Sequence, residues 1–152
     1  MNLQYITKLK AEGKIIGFTA SSFDLLHAGH IAMLAEAKSK CDFLIVGLLT
    51  DPTTDRPDTK NKPVQSIFER WVQASALAFV DMVIPFESEQ DLIDMLLTIM
   101  PNIRFVGEEY KDVDHTGKNI EGIGIHYNSR KHSFSTSELR ERVVKECITH
   151  GS

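Results

Sequence analysis

IIGFTASSFDLLHAGHIAMLAEAK, residues 15–38, carries the reading that decides the fold. Its opening run, IIGFTA, is apolar or β-branched, as a buried strand requires. After the polar stretch SSFDLLHAGH, Ile31, Leu34, Ala35 and Lys38 recur at three- to four-residue spacing, the period of an amphipathic helix. A second strand candidate, FLIVGLL (residues 43–49), follows at once. A strand, a loop, a helix and a strand in this order form the crossover unit from which parallel sheets are built.

Outward from this unit the alternation continues. Residues 66–79 predict a helix with Ile67, Trp71, Ala74 and Ala78 on one side, and residues 80–85 a short strand. Leu92, Met95, Leu96 and Ile99 mark another helix, which Pro101 ends, and IRFV (residues 103–106) is a fourth strand. Residues 122–127 give a weaker fifth strand and residues 137–147 a closing helix with Leu139, Val143, Val144 and Cys147 as its apolar face. Trp71, Met95 and Met100 are expected in the core. The pattern predicts an α/β domain of Rossmann-like type, a doubly wound parallel five-stranded sheet with helices on both faces. Ligands gather outside the carboxyl ends of such strands, so the loops after Ala20, Leu49, Val106 and Tyr127 are the first places to look for chemistry. Residues 50–63 and 107–121 exceed the usual connection length and suit lids or binding loops.

The length of 152 residues is that of one domain, expected to span residues 1–152. No apolar run approaches the roughly 20 residues of a membrane-spanning helix, and residues 1–10 lack the pattern of a secretory leader. A cytoplasmic location without membrane association is the expectation. Cys41 and Cys147 stand alone, with no metal-ligand or disulfide spacing. A net charge of -4 argues against nucleic acid as a partner, while leaving room for a local basic pocket.

The loop after the first strand holds neither a GxGxxG nor a GxxxxGKS pattern. Instead His27 and His30 bracket Ala28 and Gly29 where a helix begins, and backbone N–H groups at a helix start attract an anion. A histidine pair is also compatible with a merely satisfied polar role, or with a metal, although a metal needs further ligands that are not evident nearby. No protein metal ligand is assigned.

In this context FDLLHAGH resembles the HxGH signature of the nucleotidyltransferase superfamily, and especially the glycerol-3-phosphate cytidylyltransferase family. FERW with Arg70, FVGEEY (residues 105–110) and SRKHSFSTSELRERV (residues 129–143) resemble further segments of that family in the same order. Asp51 falls where an acidic residue commonly closes the second strand. The resemblance implies transfer of a cytidylyl group from CTP to a small phosphorylated acceptor such as glycerol 3-phosphate, with release of pyrophosphate and no covalent enzyme intermediate. Mg²⁺, held mainly by phosphate oxygens, would accompany the nucleotide, and a homodimer is implied. His27, His30, Lys62 and Arg130 take the catalytic roles. Ser22, Phe23, Asp24, Gly29, Glu109, Ser135, Thr136 and Ser137 take the nucleotide, while Asp24 and Arg70 take the acceptor. Gly29 is expected to keep a side chain out of the phosphate's way. Ser135 and Glu138 also have the spacing of a capping box, an ordinary helix start compatible with a phosphate site.

There are three departures from the glycerol-3-phosphate pattern: Ser21 stands for a glycine, Glu108, Glu109 and Tyr110 for D-D-W, and Ala78 for an arginine. HAGH and the insertion YKDVDHTGKNI (residues 110–120) also resemble the sugar-phosphate adenylyltransferases, including the heptose-phosphate type. Adenylyl transfer from ATP to a sugar phosphate is therefore the alternative. A nucleotide-binding regulatory module without turnover is the rival from another class.

Overall fold

Both faces of β1 (Ile16–Ser21) are covered, and Ile16 and Phe18 have no exposed surface. The computed structural model describes residues 2–130 and 132–150. In it β1 is the middle strand of a five-stranded sheet, flanked by β2 (Phe43–Leu49) and β4 (Ile103–Gly107). β3 (Met82–Phe86) and β5 (Gly124–Asn128) form the edges, giving the order β3-β2-β1-β4-β5 with every pair parallel. The expected Rossmann-like doubly wound sheet is what forms. The chain crosses from one side of β1 to the other between β3 and β4, so the loops leaving β1 and β4 diverge and open a crevice at their carboxyl ends.

Helices α1 (Leu3–Ala11) and α4 (Glu89–Ile99) cover one face, where Ile6, Leu92, Met95, Leu96 and Ile99 meet Ile16, Phe18 and Ile45. On the other face, Leu34 and Ala37 of α2 (Ala28–Lys38) and the loop residue Phe23 meet Leu44, Val46, Leu48 and Phe105, with Ile67 of α3 (Ile67–Ser75) alongside. Gly17 lets β1 sit close to this second layer, since a Cβ there would lie 2.7 Å from both Cys41 Sγ and the Phe105 ring. Local signals fix the helix starts: Ser66 with Glu69, and Ser88 with Asp91, are reciprocal capping boxes. Met100 ends α4 in a left-handed conformation immediately before Pro101.

Several expectations are corrected. α1 was not anticipated; it is anchored by buried Ile6, and Lys10 Nζ donates to the Ile99 and Met100 carbonyls at 2.5 and 2.6 Å, capping the end of α4. α3 stops at Ser75 rather than at residue 79, and β3 starts two residues late; Pro85 is tolerated because β3 is an edge strand. Trp71 is 41% exposed and not core, because α3 turns Arg70 and Ala74 inward instead. Met95 is buried as expected, whereas Met100 is only partly covered at its helix end. In α5 (Thr136–His150) no residue is buried, and Val143 and Val144 of the expected apolar face are more than half exposed. The helix follows an edge strand and is attached through its first turns.

Leu96 lies fully buried between α4 and the sheet. Leu96→Ala is expected to cost about 2–5 kcal/mol, measured as a fall in the urea midpoint with the slope of the transition preserved.

Candidate active site

The loop between β1 and α2 is held in an uncommon shape. Phe23 and Leu25 both adopt left-handed backbone angles (φ 47° and 49°), which bulky residues do only where the surroundings demand it. Those surroundings are polar and specific. The Asp24 carboxylate accepts from the backbone N–H groups of Val64 and Gln65 at 2.9 and 3.0 Å and from Arg140 Nη2 at 2.8 Å. Gln65 Oε1 accepts from Leu25 N, and Arg70 Nη1 donates to Ser22 O. Ser21, where a glycine was expected, still belongs to β1 opposite Leu48, so the turn begins after it and needs no glycine there. Burial pushes the Asp24 carboxyl up, but the two backbone donors and Arg140 outweigh it and hold the group below its ordinary range.

At the start of α2 the two signature histidines cap the helix and each other. His27 Nδ1 accepts from Gly29 N at 3.0 Å, and His30 Nδ1 accepts from His27 N at 3.2 Å. A ring nitrogen that accepts a backbone N–H carries no proton, so each neutral imidazole keeps its single proton on Nε2. The tautomers thus follow from this hydrogen-bond pattern. The rings stack with centroids 3.9 Å apart, and Phe23 lies 5.3 Å below that of His30. Burial, then the neighbouring His27, lowers the His30 pKa to about 4. Burial, then His132 and Arg130, lowers that of His27. Both rings are therefore neutral N–H donors at neutral pH. Gly29 also leaves room for the rings around it: a Cβ there would stand 2.8 Å from the His27 ring and 3.0 Å from that of His132.

The start of α5 closes over this pair. His27 Nε2 lies 3.2 Å from Thr136 Oγ1, and Ser135 Oγ accepts from Glu138 N, the helix-cap arrangement. Arg130 N donates to Glu108 Oε1, while the Arg130 guanidinium faces Glu109 at 4.0 Å. Glu36 of α2 fixes the preceding residues by accepting from Ser129 N and Oγ. Lys131, within the expected segment 129–143, lies outside the described residues.

One cavity of about 610 Å³ runs along the carboxyl edge of the sheet. Ser22, Asp24, His27, Gly29, His30, Glu109, Arg130, Ser135, Thr136 and Ser137 all line it, as does Asp51. Three expected site residues do not. Phe23 is buried beneath His30 as a support. Lys62 is exposed and does not line the cavity, although its charge acts on the lining carboxylate Asp51; its carbonyl accepts from Arg140, and Lys60 and Asn61 of the same loop line the cavity. Arg70 is 2% exposed and its guanidinium donates to the carbonyls of Gln65, Ser22, Leu49 and Thr50 at 2.5–3.1 Å. The acceptor-binding role expected of it is corrected to that of a staple below the site. Arg140, His132, Arg104 and His115 also line the cavity and were not anticipated. Arg140 was legible, since it follows Thr136 by one helical turn on the same face, and Arg104 stood out as a charge inside the apolar run IRFV.

The cytidylyltransferase-like family model matches residues 18–142, and the chain belongs to that family of nucleotidyltransferases. It is 35% identical over 140 residues to the bifunctional protein HldE of Campylobacter jejuni (strain RM1221), covering 92% of this chain and 30% of that protein. With HldE of Caulobacter sp. (strain K31) the identity is 38% over 118 residues, covering 78% and 24%. The chain thus spans less than a third of the length of these curated relatives. The crystal structure of the lipopolysaccharide core biosynthesis protein from Thermoplasma volcanium GSS1 matches 88% of each chain with 25% identity and a TM-score of 0.56. Pantoate-beta-alanine ligase from Francisella tularensis shares the fold at 17% identity and a TM-score of 0.50, over 98% of this chain and 78% of its own.

Because burial holds folded His30 near 4, below its ordinary value of 6.5, the unfolded chain takes up the proton first as pH falls. The stability that depends on neutral His30 is complete above about pH 6.5 and is lost progressively down to about pH 4. Asp24, with a depressed pKa, gives stability above its ordinary value of 3.8 and loses it below, outside this window. Urea midpoints between those pH limits are expected to fall more steeply for the wild type than for His30→Gln.

Proposed function

We propose that this chain transfers an adenylyl group from ATP to a phosphate oxygen of a sugar phosphate and releases pyrophosphate. The observation that carries nucleotidyl transfer is the reciprocal cap of His27 and His30, which leaves two neutral imidazoles with Nε2–H donors on the wall of a cavity at two helix starts. The choice of adenylyl over cytidylyl transfer is supported by the curated relatives, which are HldE proteins at 33–38% identity, and by the likeness to a lipopolysaccharide core biosynthesis protein. Lipopolysaccharide core is carbohydrate, which accords with a sugar phosphate better than with glycerol 3-phosphate.

In the reaction an acceptor phosphate oxygen forms a bond to the α-phosphorus, the bond from that phosphorus to the α,β-bridging oxygen breaks, and the electron pair leaves with pyrophosphate. The nucleophile is already an anion, so the protein aligns the groups and stabilises charge on phosphate oxygens rather than removing a proton. His27 and His30 donate from Nε2, with His27 exchanging its Thr136 partner for a phosphate oxygen. Arg130 leaves Glu109 for the phosphates, and the free N–H groups of α2 and α5 add their partial charge. Asp24 keeps the signature loop in shape, and Lys62, whose charge already acts on Asp51 at the cavity, turns from that carboxylate to the triphosphate. Mg²⁺ brought in on the triphosphate would be held mainly by phosphate oxygens and water, since no cluster of three ligating side chains stands among the described residues. When bound, that ion withdraws charge from the phosphate oxygens.

The exposed apolar side chains of α3 and α5, among them Phe68, Trp71, Val144 and Ile148, support a homodimer. No helix among the described residues is long and apolar enough to cross a membrane, and Cys41 and Cys147 are both free, which accords with a cytoplasmic location.

Pyrophosphate release is to be measured with ATP and with CTP, each against heptose, hexose and glycerol phosphates. Release with ATP and a sugar phosphate is expected. Preference for CTP with glycerol 3-phosphate would return the cytidylyl reading, and nucleotide binding without release from any pair would favour a binding module. His27→Ala and His30→Ala are each expected to lower turnover ~10²–10³-fold with the circular dichroism of the fold intact. Light scattering at micromolar concentration is expected to give twice the 17.1 kDa of one chain.

A further inference from the structure

The cavity crosses the sheet edge, and its far wall lies on the α4 face, away from the histidine pair. Arg104 stands on that wall. Its register partner on β1 is Phe18, which belongs to the α4 layer, and Leu96 and Arg104 Nη1 both come close to Gly117. Arg104 is only 7% exposed, yet its side chain makes a single hydrogen bond among the described residues, from Nη1 to the Thr116 carbonyl. Among those residues no carboxylate lies within 4.0 Å of it. A guanidinium taken out of water with no anion beside it is strongly unfavourable, and burial accordingly lowers its pKa.

Two neighbours on this wall are short of partners too. His115 Nδ1 and Arg56 Nε are buried side-chain atoms without a hydrogen bond. Buried polar atoms are bonded in the large majority of cases, so two such atoms and an unpaired cation on one wall describe a binding site rather than a packing defect. Arg56 Nε is 3.8 Å from Glu89 Oε1, and Glu89 Oε2 accepts from Thr116 Oγ1 at 2.8 Å, which places a carboxylate where hydroxyl groups can donate. A guanidinium fork suits a phosphate, and the carboxylate and ring nitrogen suit a polyol.

We infer that Arg104 binds the phosphate of the acceptor, and that His115, Arg56 and Glu89 form around it a compartment for a hydroxyl-rich acceptor on the face of the sheet opposite the histidines. That the ligand is an acceptor rests on the transferase reading; the existence of the compartment does not.

The test is calorimetric titration of a heptose 1-phosphate, glucose 1-phosphate, glycerol 3-phosphate and inorganic phosphate into the full chain saturated with α,β-methylene-ATP, repeated with Arg104→Met and Arg104→Lys. At least one organic phosphate is expected to bind, ~10-fold or more weakly to Arg104→Met, with partial recovery in Arg104→Lys. Affinity for the nucleotide analogue is expected to stay within about twofold. Ligand-free Arg104→Met is expected to melt no lower than the wild type, because the variant sheds an unpaired buried charge. Equal binding of every probe to Arg104→Met, failure of every probe to bind the wild type, an equal loss of nucleotide affinity, or a lower melting temperature of the free variant would each overturn the inference. Arg104-dependent binding without pyrophosphate release from ATP or CTP would remove the transferase reading and leave the compartment standing. Release with an unchanged acceptor KM in Arg104→Met would do the reverse.

Discussion

The guanidinium of Arg70 is the fixed point of the carboxyl edge. Its four hydrogen bonds reach Ser22 after β1, Leu49 and Thr50 at the end of β2, and Gln65 before α3. Where strands end, the departing backbones need partners that no neighbouring strand supplies. One buried cation answers that need for three segments at once. Asp24 accepts from the Val64 and Gln65 backbone N–H groups and from Arg140 of α5. The two left-handed residues Phe23 and Leu25 are held within this frame, and with them the entry angle of α2. The chemistry of the histidines therefore depends on an arginine that does not reach the cavity.

On that frame the site separates donor function from charge. His27 and His30 use backbone N–H groups to fix their own tautomers, and burial keeps them uncharged, aided by His27 beside His30 and by His132 and Arg130 beside His27. A neutral donor offers its proton to a phosphate oxygen without requiring a counter-charge while the cavity is free of ligand. Arg130 supplies positive charge, and its contact with Glu109 is exposed and long, so it is cheap to exchange. The net charge of -4 is compatible with this, because the cations are few and sit where anions arrive.

The sheet and the histidine loop were legible because apolar period and motif act locally: IIGFTA, FLIVGLL and the spacing from Ile31 to Lys38 need no partner to be read. α1 was not, because its only deeply buried residue is Ile6 and its other contact, Lys10 on the end of α4, is long-range. Family resemblance located Arg70 correctly along the chain but carried no information on where its guanidinium points. Trp71 was assigned to the core from hydrophobicity, and Val143 and Val144 to an apolar face from their spacing, yet periodicity identifies such a face without saying what covers it. Arg104 was visible as a charged residue within an apolar strand, and its meaning required knowing that no carboxylate stands beside it.

The attachment of α5 has a consequence for how the site opens. This helix buries no side chain and joins the body through Thr136 on His27 and Arg140 on Asp24, contacts that a water molecule or a phosphate replaces in kind. The helix works as a clasp rather than as a wall. Admitting a nucleotide on this side disturbs no hydrophobic packing, so the free energy of entry is set by the exchange of polar contacts and stays separate from the stability of the sheet beneath.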